Sequence, residues 1–232
     1  MSEEMISVGR RQCRVYADPS PEYLLIKPAD DYELELFPAE AGHIRALTDK
    51  PFILASFEVK DWNNELSPWD APAVFGSEPF GNGAGKTLQY IEEKLIPELI
   101  KRYALVEDIP VILGGYSLAG LFALWAGYSS KRFSATAGAS PSVWFPGWTE
   151  LAEERSPAVR CIYLSLGKKE EKARNRIMAT VGDNIRRLYD ILLSKNIHSK
   201  LEWNEGNHFT EPELRTAKGF AWCIGELSGN NG

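Results

Sequence analysis

Long apolar runs, excess positive charge and paired cysteines are all missing from this chain of 232 residues. Nowhere do about 18 apolar residues follow one another, so no segment reads as a membrane-spanning helix. Met1 to Met5 put no basic segment ahead of an apolar stretch, and a soluble, cytoplasmic protein with no membrane partner is expected. Lys and Arg number 26 against 32 Asp and Glu, a net charge of -6. That is the wrong sign for a surface that neutralises phosphates, and nucleic acid is not an expected partner. The 3 cysteines, Cys13, Cys161 and Cys223, are odd in number and far apart, with no CxxC or Cys/His spacing suited to a metal. They read as buried free thiols. No repeat, low-complexity tract or Gly/Ser/Pro-rich linker divides the chain, so residues 1–232 are expected to form one domain.

What is present is an alternation of short apolar runs and helical periodicities. Tyr23 to Lys27 and the nearly continuous PFILASFEV run (51–59) read as strands, the second buried on both faces. Residues 60–85 carry Pro68, Pro72, Pro79 and 4 glycines and read as a long loop, which in a domain of this size is usually functional. Leu88, Ile91, Leu95 and Leu99 recur at helical spacing over 86–103, with Pro97 as a point of kinking. Further strands are expected at Ile109 to Leu113, Phe133 to Gly138, Val159 to Leu166 and Lys200 to Trp203. Helices are expected over 118–128, along Ile177 to Leu192, and over 212–226. This order predicts an α/β fold, a mostly parallel central sheet with helices on both faces and no large cap domain. Reactive residues then belong on loops at the carboxyl ends of the strands.

Gly114-Gly115-Tyr116-Ser117-Leu118-Ala119-Gly120 joins the strand IPVIL to the small-residue helix, so Ser117 stands at a tight strand-to-helix turn. Such a turn exposes a nucleophile and requires small residues two before and two after it, here Gly115 and Ala119. The helix start offers N–H groups and positive potential to a developing oxyanion, with Leu118 N–H the first donor. A second donor is expected from the loop after PFILASF, at Phe57 or Glu58. Of the 3 histidines, His43 falls in a helix before the serine and His198 at a helix end before the last strand. His208 alone falls on a carboxyl-end loop, ahead of Thr210-x-x-Glu213, which reads as a capping box. Between serine and histidine, the strand VRCIYLSL ends at Gly167, and Glu170 is the candidate acid with Glu171 its rival. A Ser–His dyad without an acid is the remaining alternative. Lys168, Lys169, Lys172, Arg174 and Arg176 read as the wet face of the next helix.

The GYSLAGL turn, the LSLGKKEEKARN acid loop, the GNHF histidine loop and ASPSVWF together resemble the putative esterase family that includes esterase D and the enterochelin esterases. DWNNELSPWDAP and KKEEKARNRIMATVGDNIRR are similar to an uncharacterised bacterial branch of it. The resemblance covers most of the chain. It implies an α/β-hydrolase fold, no metal or organic cofactor, and cleavage of a small-molecule ester or thioester through an acyl-enzyme. Where family members usually have Gly, this chain has Ala119.

Tyr116 and the loop tryptophans Trp62, Trp69 and Trp144 are candidates for the substrate pocket, with Trp148 as a further loop aromatic. Gly81 to Thr87 resembles a phosphate-binding P-loop, but Phe80 stands where the motif's first Gly belongs, and no strand precedes it. A phosphate- or nucleotide-binding protein is therefore a rival reading, and a non-catalytic small-molecule binder on a hydrolase scaffold is another.

Overall fold

The computed structural model describes residues 2–74 and 76–229. Eight strands form one sheet: β1 (Ser2–Val8), β2 (Arg11–Ala17), β3 (Tyr23–Ala29), β4 (Phe52–Glu58), β5 (Val111–Tyr116), β6 (Ala135–Ala139), β7 (Cys161–Gly167) and β8 (His198–Asn204). Their order is β1-β2-β4-β3-β5-β6-β7-β8. From β4 through β3 to β8 every neighbour pair is parallel. The continuous apolar runs sit at the centre, where β3, β5, β6 and β7 are buried at every position. The antiparallel hairpin β1–β2, turning at Gly9 and Arg10, had no counterpart in the expected elements. Its polar-interrupted sequence suits an edge with one wet face, and β2 alternates between buried and partly exposed positions.

Helices cover both faces. On one, α1 (Asp31–Leu47) packs with the last helix of the chain, where Phe37, Ala41 and Ile44 meet Phe220 and Ile224 over Leu25, Leu54 and Ile112. Asp30 caps α1 by accepting the Glu33 N–H at 2.9 Å. The expected long loop after β4 holds a short α2 (Trp62–Glu65) and an isolated bridge between Ala71 and Phe80. The expected helix over 86–103 runs as α3 (Ala84–Tyr90), a π-turn (Ile91–Leu95) and α4 (Ile96–Arg102). Pro97 has no N–H to give, and the wider turn immediately before it absorbs the lost bond in place of a sharp kink.

These segments, α5 (Ser117–Ser129), α6 (Trp148–Glu154) and, after a small α7 (Arg176–Ala179), α8 (Val181–Ser194) cover the other face. Ile91, Leu95, Leu121, Phe122, Ile185 and Leu188 close the core there. The chain ends in α9 (Pro212–Gly229). Among the described residues no helix is long and apolar enough to cross a membrane.

Candidate active site

The serine sits on strained backbone. At the junction of β5 and α5, Ser117 has φ 55, a left-handed conformation that a residue with a side chain adopts only when its surroundings impose it. Gly115 makes the turn possible: a Cβ there would lie 2.7 Å from Ala119. Gly120 lets the helix rest on the strand, since its own Cβ would come 3.0 Å from the Gly115 carbonyl oxygen. The Ser142 N–H donates to the Ser117 carbonyl at 3.0 Å, bringing the turn after β6 against the elbow.

The histidine arrives from the loop between β8 and α9. Thr210 does not cap α9 as expected. Its hydroxyl instead accepts the Asn207 N–H at 3.1 Å, while Asn207 Oδ1 accepts the Phe209 N–H at 2.9 Å, closing a tight loop around His208. The Tyr116 hydroxyl donates to the His208 carbonyl at 2.7 Å, tying this loop to the residue before Ser117. His208 Nε2 then lies 3.0 Å from Ser117 Oγ, and Nδ1 lies 2.7 Å from Glu170 Oε2.

Glu170 is buried on a 3₁₀ turn (Glu170–Lys172) just past β7. Its other oxygen, Oε1, accepts Ser140 Oγ–H at 2.7 Å, the Gly167 N–H at 2.7 Å and Arg215 Nη1 at 3.0 Å. Burial works to raise its pKa, but the hydrogen bond and charge of His208, with Ser140 and the Gly167 N–H, outweigh it and hold the carboxyl below its usual value. Glu171 turns away to pair with Arg186 at 2.8 Å. The structure therefore brings Glu170, not its neighbour, to His208.

Arg215, only 1% exposed, was not among the residues expected at the site. Its guanidinium also reaches the Tyr116 hydroxyl at 3.1 Å, Ser140 Oγ at 3.2 Å and, through Nη2, the Glu205 carbonyl at 2.7 Å. One side chain from α9 thus joins the elbow, the turn after β6, the acid loop and the histidine loop. Burial first, and then the charge of Glu170, push the Tyr116 hydroxyl up to about 12, so it remains a donor at neutral pH.

The array opens into a cavity of about 750 Å³. Ser117, Leu118 and His208 border it, with Trp62, Phe80 and Trp144 forming much of an apolar wall. Several expectations change here. Phe57 and Glu58 do not border the cavity: Phe57 is fully buried in β4, and the Glu58 carbonyl accepts Arg11 Nη1. From the loop after β4 it is Trp62 and Asn63 that reach it. Tyr116 lies behind the array, Trp69 donates to the Pro146 carbonyl at 2.8 Å, and Trp148 is fully buried, none of them lining the cavity. Lys169 and Lys172, read as part of a wet helix face, border it.

No family model and no curated protein matches the chain. Solved structures do. The siderophore hydrolase EstA from Aspergillus nidulans superposes with a TM-score of 0.71 at 20% identity, over 98% of this chain and 94% of that one. The BES protein from Bacillus cereus gives 0.69 at 18% identity, over 96% and 95%. The enterobactin esterase FES from Shigella flexneri, solved in the presence of 2,3-di-hydroxy-N-benzoyl-glycine, gives 0.69 at 16% identity, covering 97% of this chain but 59% of that chain. This chain has the α/β-hydrolase fold. At such identities the likeness speaks for the architecture alone.

In this fold the other candidates lie elsewhere. His43 is on α1, and His198 pairs with Glu226 and stacks on Trp222. In the P-loop-like stretch, the Gly81, Gly83 and Ala84 N–H groups donate to the carbonyls of Asn63, Asn64 and Ser67. The Thr87 hydroxyl is buried and donates to Glu65 O at 2.8 Å. Those groups fasten α2 to α3 and are not turned toward a phosphate. Among the described residues no group of three His, Cys, Asp or Glu side chains could hold a metal ion.

Proposed function

We propose that this protein is a serine hydrolase that cleaves a small-molecule carboxylic ester or thioester through an acyl-enzyme. The observation that carries this reading is the unbroken relay from Ser117 Oγ through His208 to Glu170, at 3.0 and 2.7 Å, opening into an apolar cavity. Ser117 Oγ attacks the carbonyl carbon while His208 Nε2 takes its proton. The tetrahedral oxyanion accepts from the Leu118 N–H and from an N–H of the Trp62–Asn63 segment, the part of the loop after β4 beside the cavity. His208 returns its proton to the departing alcohol or thiol, and the acyl group stays on Ser117. Water then attacks, His208 takes its proton, and the acid leaves as Ser117 recovers its own. Glu170 stays ionised throughout and stabilises the imidazolium. The names of the structural neighbours, a siderophore hydrolase and an enterobactin esterase, agree with ester hydrolysis. The free, buried thiols suit a reducing compartment such as the cytoplasm.

The test is covalent labelling with a fluorophosphonate, followed by peptide mass spectrometry. One adduct, on the Ser117 peptide, is expected, together with hydrolysis of a short-chain aryl ester. Ser117→Ala is expected to lose both while retaining its circular dichroism spectrum, with kcat falling by about 10³-fold or more. An adduct on another residue, or unchanged hydrolysis by the variant, would overturn the reading.

A further inference from the structure

Two ammonium groups stand at the mouth of the cavity, and the reaction described above uses neither. Lys169 precedes the 3₁₀ turn Glu170–Lys172, and Lys172 ends it. In such a turn residues three apart eclipse one another, so both lysines leave from one side while Glu170 is directed to His208. Both border the cavity and both are exposed.

The carboxylates nearby are committed elsewhere. Glu205 pairs with Lys168, with Lys169 near enough to add to the positive field on its carboxyl but not in an ion pair with it, and Glu171 pairs with Arg186 at 2.8 Å. Glu170 is the one carboxylate among the described residues bordering the cavity, and it is held by His208 and Arg215. Among the described residues neither Lys169 nor Lys172 forms an ion pair with a carboxylate. The aromatic part of the lining, Trp62, Phe80, Trp144 and Phe209, carries no charge. A chain of net charge -6 therefore sets two ammonium groups outside any ion pair on this apolar cavity, whose one carboxylate among the described residues is already held by His208 and Arg215. Charge focused at the mouth of a low-dielectric cleft raises the local concentration of an oppositely charged ligand and orients it as it enters.

We infer that the substrate carries an anionic group, placed away from its ester, with an apolar body between the two: the body lies along the aromatic wall and the anion meets Lys169 and Lys172. This rests on the serine hydrolase reading and adds the substrate class to it. The attraction is between exposed groups, so its size is modest, about 3- to 10-fold in kcat/KM, and it weakens with salt.

The experiment uses paired aryl esters, identical except that one carries a carboxylate and the other a carboxamide, at the far end of the acyl chain in one pair and of the aryl ring in the second. In at least one pair the carboxylate ester is expected to be preferred by that factor at low ionic strength, with the preference fading by about 0.5 M salt. In Lys169→Gln/Lys172→Gln the ratio of the two rates is expected to fall to about one, and in Lys169→Glu/Lys172→Glu to invert. The ratio cancels any loss common to both esters, so damage to the neighbouring Glu170 does not imitate the result. Hydrolysis of both esters with no preference in either pair, or a preference that survives the double Gln substitution, overturns the inference and leaves the hydrolase standing. No hydrolysis of any ester, with no labelling of Ser117, overturns both.

Discussion

Two buried charged clusters in this protein have similar ingredients and opposite outcomes. Between β3 and α1, Lys27 Nζ lies 2.7 Å from Glu40 Oε2 and 2.9 Å from Glu33 Oε2, and none of the three residues is more than 8% exposed. Two carboxylates share one ammonium there. Burial raises Glu33 to about 7 with Lys27 offsetting only part of it, and burial raises Glu40 as well. Beside the cavity, Glu170 is also buried, yet it stays below its usual value. The difference lies in the supply of donors: Glu170 alone is met by His208, Ser140, the Gly167 N–H and Arg215. Burial by itself favours the proton, and a full set of donors reverses that. The carboxylate that faces His208 is given such a set, whereas the two that face Lys27 between β3 and α1 are not.

The largest effect expected from breaking this contrast is at Glu170. Glu170→Gln keeps the shape but removes the charge facing Nδ1 and allows the wrong tautomer of His208, so a fall of about 10²- to 10⁴-fold in kcat is expected at saturating ester. Glu171→Gln, which loses only a half-exposed pair with Arg186, is expected to stay within about 2-fold. Similar losses in the two variants would dissolve the distinction between them. Two mild effects would mean that Ser117 and His208 act as a dyad.

Arg215 comes next. Arg215→Met leaves Glu170, Ser140 and the Glu205 carbonyl each short of a donor, and breaking a buried charge pair of this kind costs about 3–5 kcal/mol. Urea unfolding is expected to register that loss. Below the transition, kcat is expected to fall by about 10-fold, because Glu170 keeps His208 but not its own bearing. Arg215→Lys restores the charge without the fork, and is expected to recover stability more than kcat. Full activity in folded Arg215→Met would make the arginine a structural clamp only, and donor supply would then not be what sets the acid's role.

The two clusters were unequally legible in the sequence. Ser117 and His208 could be placed because each lies on a loop at a carboxyl-end position, a matter of element order. Glu170 could be narrowed to a pair, since the direction of a side chain on a single 3₁₀ turn depends on where Gly167 and His208 meet it. Arg215 was invisible: on α9 it reads as an ordinary helical cation, and only the packing of that helix on the sheet buries it. Ser140 and Asn63 were missed for the same reason, as contacts made by the tertiary fold, whereas Trp62 was already expected at the pocket and does border it. Phe57 and Glu58, where the second oxyanion donor was expected, do not border the cavity, because β4 continues through both residues before the chain turns to it. Lys169 and Lys172 were assigned to solvent because a charge run carries no mark of the cavity beside it. The central parallel strands were plain from their apolar runs, while the β1–β2 hairpin, half polar, left no comparable trace.

The smallest expected effect sharpens the comparison from the side of the closed cluster. Glu33 has its pKa raised from 4.5 to about 7, so between those values the folded protein holds a proton that the unfolded chain has released. Folding stability from this group is therefore complete below about 4.5 and is lost as the pH rises through about 7, a change of at most about 3 kcal/mol. Glu170 has the opposite sign: its share is present above the ordinary carboxylate range and is lost only as the pH falls below it, outside this window. Glu33 is also influenced by Glu40 and Asp30, and Glu40 in turn by Glu213 and His43, so the transition is broader than that of an isolated group. In Glu33→Gln the slope between about pH 5 and 7 is expected to flatten, so that the variant gains on the wild type steadily as the pH rises, read from urea midpoints at several pH values. Parallel curves for the two proteins would mean that Glu33 remains ionised when buried beside Lys27. One shared ammonium would then suffice to keep a buried carboxylate charged, and the crowd of donors around Glu170 would need another reason.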